Sequence, residues 1–112
     1  MAKGVAFSVP DMKAQWKSKY VGKSQGTRDR IEKNRGGVSY YLLGNEIAFY
    51  DPETKIVTIS DAGWQTSTTK DRLNGLLYSG KSKARIHQKD GIWYLQVGKA
   101  VTLWPGTYKF KV

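Results

Sequence analysis

One helical segment stands out at residues 60–77 of a chain that otherwise has the pattern of short strands and turns. Leu73, Leu76 and Leu77 recur at helical spacing, and a run of Ser and Thr residues before them supplies favoured helix caps. The pattern predicts a helix over residues 68–78 whose leucines pack on a sheet. Its outward positions are Lys70, Asp71 and Asn74. One such helix among strands predicts an α+β fold, with this central helix packed on a strongly bent antiparallel β-sheet of five or six strands.

Residues 38–60 alternate between strand-forming residues and turn residues. Gly44-Asn45 suits a two-residue hairpin turn, and residues 51–54 have the Asp-Pro composition of a β-turn. We therefore predict a three-stranded meander in which Ile47 and Phe49 share one face. Its strands are 38–43, 46–50 and 55–60.

A second hairpin is centred on Asp90-Gly91, a dipeptide typical of type I′ turns. A two-residue loop determines the register, so we expect His87 opposite Tyr94 and Arg85 opposite Gln96. The hairpin strands are 84–88 and 92–97, and a last strand is predicted at 107–112. Four basic side chains then alternate along the outward face beside Tyr94: Lys83, Arg85, His87 and Lys89.

The N-terminal segment has the pattern of a helix start. Ser8 is a good cap, and Asp11 three residues later completes a capping box. A helix continuing to about Tyr20 would place Met12, Trp16 and Tyr20 on one face. We expect this face to dock on the body of the domain; the alternative is a free arm that orders only on a partner.

Residues 21–37 are rich in Gly, Ser, Lys, Arg and Asn, with Ile31 as the only strongly apolar side chain after Val21. So little apolar surface favours a loop or mobile linker. We therefore divide the chain into a basic N-terminal helix and loop at 1–37 and a single α+β domain at 38–112. The basic residues of the loop that could contact phosphates are Arg28, Arg30, Lys33 and Arg35; the alternative is a solvated basic loop.

The charge balance indicates a polyanionic partner. The chain has 19 Lys and Arg residues against nine Asp and Glu residues, a net charge of +10. It has no cysteine, which excludes disulfides and thiolate chemistry. No apolar run approaches the ~20 residues that a membrane span needs, and the N-terminus lacks the apolar core of a signal peptide. We expect a cytoplasmic protein without membrane partners.

Three ordered segments resemble a widespread group of small, largely uncharacterised phage and prokaryotic proteins. They are Leu43-Gly-Asn-Glu-Ile47, then Gly63-Trp64-x-Thr66-x-Thr68-Thr69-x-x-Arg72-x-Asn74, then Gln88-Lys-x-Gly-x-Trp-Tyr94. The resemblance implies a phage origin, which would put the protein in the host cytoplasm. It brings no activity, and the basic residues 1–37 do not follow its pattern.

The Gly63-to-Asn74 motif has two interpretations. Its Thr residues lie where a helix N-terminus offers free N–H groups, and Lys70 and Arg72 add charge, so the motif could bind an anion. Alternatively, the Thr residues are ordinary caps, Trp64 closes the end of the core, and Arg72 pairs with Asp61 or Asp71. We favour the structural interpretation, under which replacing Trp64 would unfold the domain.

The basic strand also has two interpretations, a solvated outer face or a surface that follows a phosphate backbone while Tyr94 stacks on a base. We favour the second. The functional hypothesis is a small basic phage-encoded nucleic-acid-binding protein with low sequence specificity, for single-stranded DNA or RNA. The alternative is an interaction protein that inhibits a host enzyme or defence complex. No paired carboxylates, P-loop or Ser-His-Asp set is present, and His87 is the only histidine, so we expect no enzyme, metal or cofactor.

Overall fold

The computed structural model describes residues 6–112 and shows an α+β fold, with two helices and nine strands in two antiparallel sheets. The helices are α1 (Val9–Lys17) and α2 (Ser67–Ser79). The strands are β1 (Gly22–Gln25), β2 (Asp29–Asn34), β3 (Gly37–Leu42), β4 (Asn45–Asp51), β5 (Ile56–Ser60), β6 (Ala84–Lys89), β7 (Ile92–Val97), β8 (Ala100–Leu103) and β9 (Thr107–Lys111). The larger sheet has the order β1-β2-β3-β4-β5-β9, and β6-β7-β8 form a second sheet that the sequence pattern did not separate from it.

A single hydrophobic core joins both sheets and both helices. Leu73, Leu76 and Leu77 of α2 are fully buried in it, as the helical spacing predicts. The smaller sheet contributes four buried side chains: Ala84, Ile86, Trp93 and Leu95. The smaller sheet, β6–β8, therefore closes over the same core that the larger sheet and α1 enclose.

Helix α1 begins at the capping box formed by Ser8 and Asp11. Its buried face consists of Val9, Met12 and Gln15. The predicted docking face of Met12, Trp16 and Tyr20 is wrong, because the helix ends at Lys17 and Tyr20 lies beyond it, 64% exposed. Gln15 is buried at no loss of hydrogen bonding, since its amide donates to the Tyr20 carbonyl at 2.8 Å.

The prediction of a loop at residues 21–37 is also wrong, because this segment contains β1 and β2. Strand β2 pairs with β3 along its whole length, from Asp29 opposite Leu42 to Asn34 opposite Gly37. Ile31 points into the core and is fully buried. Main-chain pairing within a sheet does not require apolar side chains, so a polar composition did not prevent strand formation.

The β3–β4 hairpin turns one residue earlier than predicted. Leu43 and Gly44 occupy the turn, with φ values of 51° and 82°, where Gly44 and Asn45 were expected. A leucine in this left-handed conformation is strained, because its Cβ crowds the backbone. Leu43 lies at the hairpin tip and is 65% exposed.

A β-bulge in the same hairpin changes which side chains face the core. Tyr40 pairs with Ala48 and Tyr41 pairs with Glu46, which leaves Ile47 as the extra residue. Ile47 and Ala48 are both buried, and Phe49 lies on the opposite face, so the prediction that Ile47 and Phe49 share a face is wrong.

Candidate nucleic-acid interface

The smaller sheet presents one face to solvent, and the register of its three strands determines which side chains meet there. His87 pairs with Tyr94 and Arg85 pairs with Gln96, which confirms the register predicted from the Asp90-Gly91 turn. Strand β8 extends these cross-strand pairs on the other side of β7, with Leu103 opposite Tyr94. We call this outward surface the basic sheet face. It consists of Arg85, His87, Lys89, Ile92, Tyr94, Gln96, Val101 and Leu103, with Lys83 just before β6.

At the centre of the basic sheet face, the rings of His87 and Tyr94 are stacked. Their centroids are 5.7 Å apart and their planes differ by 23°. The Nε2 atom of His87 is buried and has no hydrogen-bond partner among the described residues. Both residues are half-buried, and the register places His87 between Arg85 and Lys89 along β6.

The cationic side chains along β6 are exposed. Lys83, Arg85 and Lys89 form no ion pair with any carboxylate of residues 6–112. Arg85 lies 5.8 Å from the centroid of the Tyr78 ring, and it donates to the carbonyls of Ser82 and Ala84. Its position is therefore defined by neutral groups that leave its positive charge uncompensated.

The N-terminal candidates lie on the larger sheet and do not join the basic sheet face. Arg30 pairs with Glu32 at 2.7 Å, and Arg35 pairs with Glu46 at 2.5 Å. Lys33 donates to the Ser18 carbonyl. The exposed Arg28 side chain has no ion pair with the carboxylates of residues 6–112.

Lys70 is the one other candidate that reaches the smaller sheet. Its Nζ donates to Gln88 of β6 at 3.0 Å. The bond joins the first turn of α2 to β6 through Gln88, which pairs with Trp93 and lies on the opposite face of the strand from the basic sheet face, so Lys70 does not join that face.

Arg72 takes part in a buried network that connects α2 to the larger sheet. Its guanidinium makes two bonds to the Asp29 carboxylate, at 2.7 and 3.1 Å, and Tyr40 donates to the same carboxylate at 2.6 Å. The prediction that Arg72 pairs with Asp61 or Asp71 is wrong. The bonds to Asp29 raise the pKa of Arg72, while burial together with the Asp29 bond raises the pKa of Tyr40, so both groups keep their protons.

The other polar residues of the motif also connect elements of the fold. Thr66 caps α2 by accepting from the Thr69 N–H at 3.1 Å. Asn74, expected to face solvent, instead bonds both main-chain groups of Ile86 at 2.8 Å each. These bonds attach α2 to the free edge of β6. Of the residues proposed for anion binding, Thr66, Thr69, Lys70 and Arg72 thus make structural bonds.

Trp64 does not close the core, which corrects the sequence interpretation. It follows a tight turn in which Ala62 and Gly63 both have positive φ, and it is 59% exposed. The buried tryptophan at this end is Trp104, whose Nε1 donates to the Asp61 carboxylate at 3.0 Å.

An apolar cavity of about 110 Å³ lies beside Trp64. The exposed side chains of Trp64 and Leu43 stand at its opening, and Ile47 and Thr69 form part of its wall. The sequence held no signal for this cavity, because it depends on the one-residue shift of the β3–β4 turn and on the exposure of Trp64.

Two further findings concern metal sites and membrane spans. Residues 6–112 contain no group of three or more His, Cys, Asp or Glu side chains placed to hold a metal ion. Over the same residues, neither helix has the length and apolar character required to cross a bilayer.

Comparison with protein families assigns the chain to one of them. A family model described as the Kyanoviridae Gp96 protein matches residues 10–110. The chain belongs to this family. Membership in the Kyanoviridae Gp96 family makes it a phage protein, in agreement with the origin that the resemblance implied. No curated protein and no solved structure matches it.

Proposed function

We propose that the protein binds single-stranded nucleic acid with low sequence specificity through the basic sheet face. The observation that carries this proposal is the row of exposed, unpaired cations along β6 beside the stacked His87 and Tyr94 rings. Single-strand binders combine these two elements, since cations follow the backbone while aromatic rings stack on bases. The net charge of +10 supports the same class of partner.

The spacing of the cations suits an extended backbone. Alternate residues on a strand lie about 7 Å apart, so the row from Lys83 to Lys89 extends for about 20 Å. Each phosphate that a Lys or Arg neutralises releases counterions, which makes the affinity fall as salt rises. Tyr94 lies one strand away from the row, so a base could turn inward onto its ring while the phosphates stay on β6.

Binding should depend on salt and on two separable groups of residues. We expect a fluorescein-labelled oligo(dT) to bind at low salt, and the magnitude of the slope of log K against log salt to decrease by about 0.7 for each of Arg85→Ala and Lys89→Ala. Tyr94→Ala should lose about 1–3 kcal/mol of binding, roughly 5- to 150-fold, with its salt slope unchanged. Fluorescence anisotropy across a salt series measures both effects.

The matched control removes two exposed lysines from the larger sheet. Lys109→Ala/Lys111→Ala lowers the net charge by the same amount as Arg85→Ala/Lys89→Ala but leaves the basic sheet face intact. If the control loses as much affinity, charge alone explains binding and the proposed face is wrong. Absence of binding at low salt would overturn the function itself.

A second candidate, contact with a host protein, is favoured by the cavity at Trp64. Tryptophan is one of the residue types enriched in binding hot spots, and Trp64 is exposed at the opening of an apolar cavity, where the exposed Leu43 enlarges the apolar surface. The cavity volume suits one apolar side chain of a partner protein. Such contact would allow the protein to inhibit a host enzyme or defence complex.

A pull-down from host lysate, with and without nuclease, separates the two candidates. Protein–protein contact at the cavity predicts that one stoichiometric protein stays bound after nuclease treatment and is lost with Trp64→Ala. Tyr94→Ala serves as the control that should not affect it. Loss of all partners with nuclease would contradict this second candidate.

A further inference from the structure

Strand β8 is exposed on both of its faces. All four residues, Ala100–Leu103, are exposed, and Val101 and Leu103 are 50% and 66% exposed. The strand carries no charge and no proline. It lies at the edge of the smaller sheet, paired only with β7. An uncharged apolar edge of this kind is a template for pairing with another strand.

The other three sheet edges of residues 6–112 are protected. The edge of β6 is covered at Ile86 by the two hydrogen bonds from Asn74. Strand β9 carries Lys109 and Lys111, and β1 carries Lys23, all exposed. Lysines on an edge discourage pairing with a second chain. Strand β8 alone combines a free edge with exposed apolar side chains.

The hydrogen-bond pattern shows which main-chain groups of β8 are free. Trp104 N–H donates to the Trp93 carbonyl at 3.1 Å, so this pair is hydrogen-bonded. Hydrogen-bonded and non-hydrogen-bonded pairs alternate along an antiparallel ladder. The main-chain groups of Val101 and Leu103 therefore point away from β7. The free edge and the most exposed apolar side chains belong to the same two residues.

We propose that β8 pairs antiparallel with β8 of a second copy of this chain. The extended stretch that pairs with β7 runs from Ala100 to Trp104, and its midpoint is Thr102. A two-fold axis at Thr102 places Val101 of each copy opposite Leu103 of the other, so the free main-chain groups bond each other. Both apolar side chains then gain neighbours on the same outward face.

The charge distribution selects a second copy as the partner. Lys99 of one copy falls opposite Pro105 of the other, so no two lysines meet across the new pair. The cations of β6 lie five strand spacings apart in the combined six-stranded sheet, about 24 Å, beyond the Debye length at physiological salt. An acidic partner would find no cation on β8 to attract it. The inference does not depend on nucleic-acid binding, although the dimer would place two basic rows on one face.

A single introduced thiol tests the register. The chain contains no cysteine, and Thr102 forms a non-hydrogen-bonded pair with itself across the axis, with Cα atoms about 4.5 Å apart. That separation permits a disulfide. We expect Thr102→Cys to form a covalent dimer rapidly under mild oxidation. Ala100→Cys should remain mostly monomeric, because its two copies would lie about 13 Å apart along the strands. Equal crosslinking of the two variants would overturn the proposal.

Sedimentation velocity tests the surface without a crosslink. We expect the unmodified protein to shift from monomer toward dimer as its concentration rises from about 10 µM to about 1 mM, the behaviour of a weak interface. Leu103→Lys should stay monomeric over the same range. Leu43→Lys is the matched control, because Leu43 is 65% exposed on a different hairpin, and it should associate normally. Circular dichroism verifies that both variants are folded. A monomer at every concentration, or association that survives Leu103→Lys, would contradict the proposal.

Discussion

Replacing Arg72 with methionine is expected to destabilise the protein by about 3–5 kcal/mol. The substitution removes both guanidinium bonds to Asp29, whose side chain is 4% exposed, and leaves that carboxylate buried with Tyr40 as its remaining side-chain partner. A buried carboxylate without a counter-charge is costly because water no longer solvates it. Urea unfolding followed by tryptophan fluorescence measures the loss.

A double-mutant cycle separates the orphaned charge from lost packing. Arg72→Met/Asp29→Asn removes the charge but keeps an oxygen for Tyr40, so we expect the double variant to be more stable than Arg72→Met alone. Arg30→Met is the exposed control, because its pair with Glu32 is solvated and should contribute less than about 1 kcal/mol. If Arg72→Met were as mild as Arg30→Met, the network would not hold α2 to the larger sheet.

The contrast between these two arginines shows why the site could be predicted only in part. The register of β6 and β7 follows from a two-residue turn, so the outward row beside Tyr94 could be predicted from local sequence. The Arg72–Asp29 pair joins residues 43 positions apart, and no local pattern connects them. The sequence therefore suggested only the nearby Asp61 and Asp71 as partners of Arg72, whereas the fold places Asp29 beside it.

The strands β1 and β2 were missed for a related reason. Ile31 is the only strongly apolar side chain of residues 22–37, and it is fully buried. An amphipathic pattern needs several apolar residues to be visible, whereas β2 is held mainly by main-chain bonds to β3, and β1 by main-chain bonds to β2. The bulge at Ile47 is similarly invisible, because one extra residue reverses the faces that follow it.

Replacing Trp104 with alanine is expected to cost about 3–5 kcal/mol, and replacing Trp64 less than about 1 kcal/mol. Trp104 is buried in the core and its indole N–H satisfies Asp61, which is itself 8% exposed, so its loss leaves both a cavity and a weakened polar network. Trp64 is mostly exposed, so truncating it removes little buried area. Thermal unfolding of the two variants measures the difference.

A conservative variant distinguishes packing from hydrogen bonding at Trp104. Trp104→Phe keeps most of the ring volume but cannot donate to Asp61. The share of the Trp104→Ala destabilisation that Trp104→Phe also shows is therefore assigned to the indole N–H. Asp61 also accepts from the Gly63 main chain at 2.9 Å and from Gln65 at 3.2 Å, which should limit that part to about 1–2 kcal/mol. A Trp64→Ala variant that unfolds while Trp104→Ala stays stable would reverse the assignment. It would mean that the exposed tryptophan stabilises the fold and does not serve as a docking side chain at the cavity.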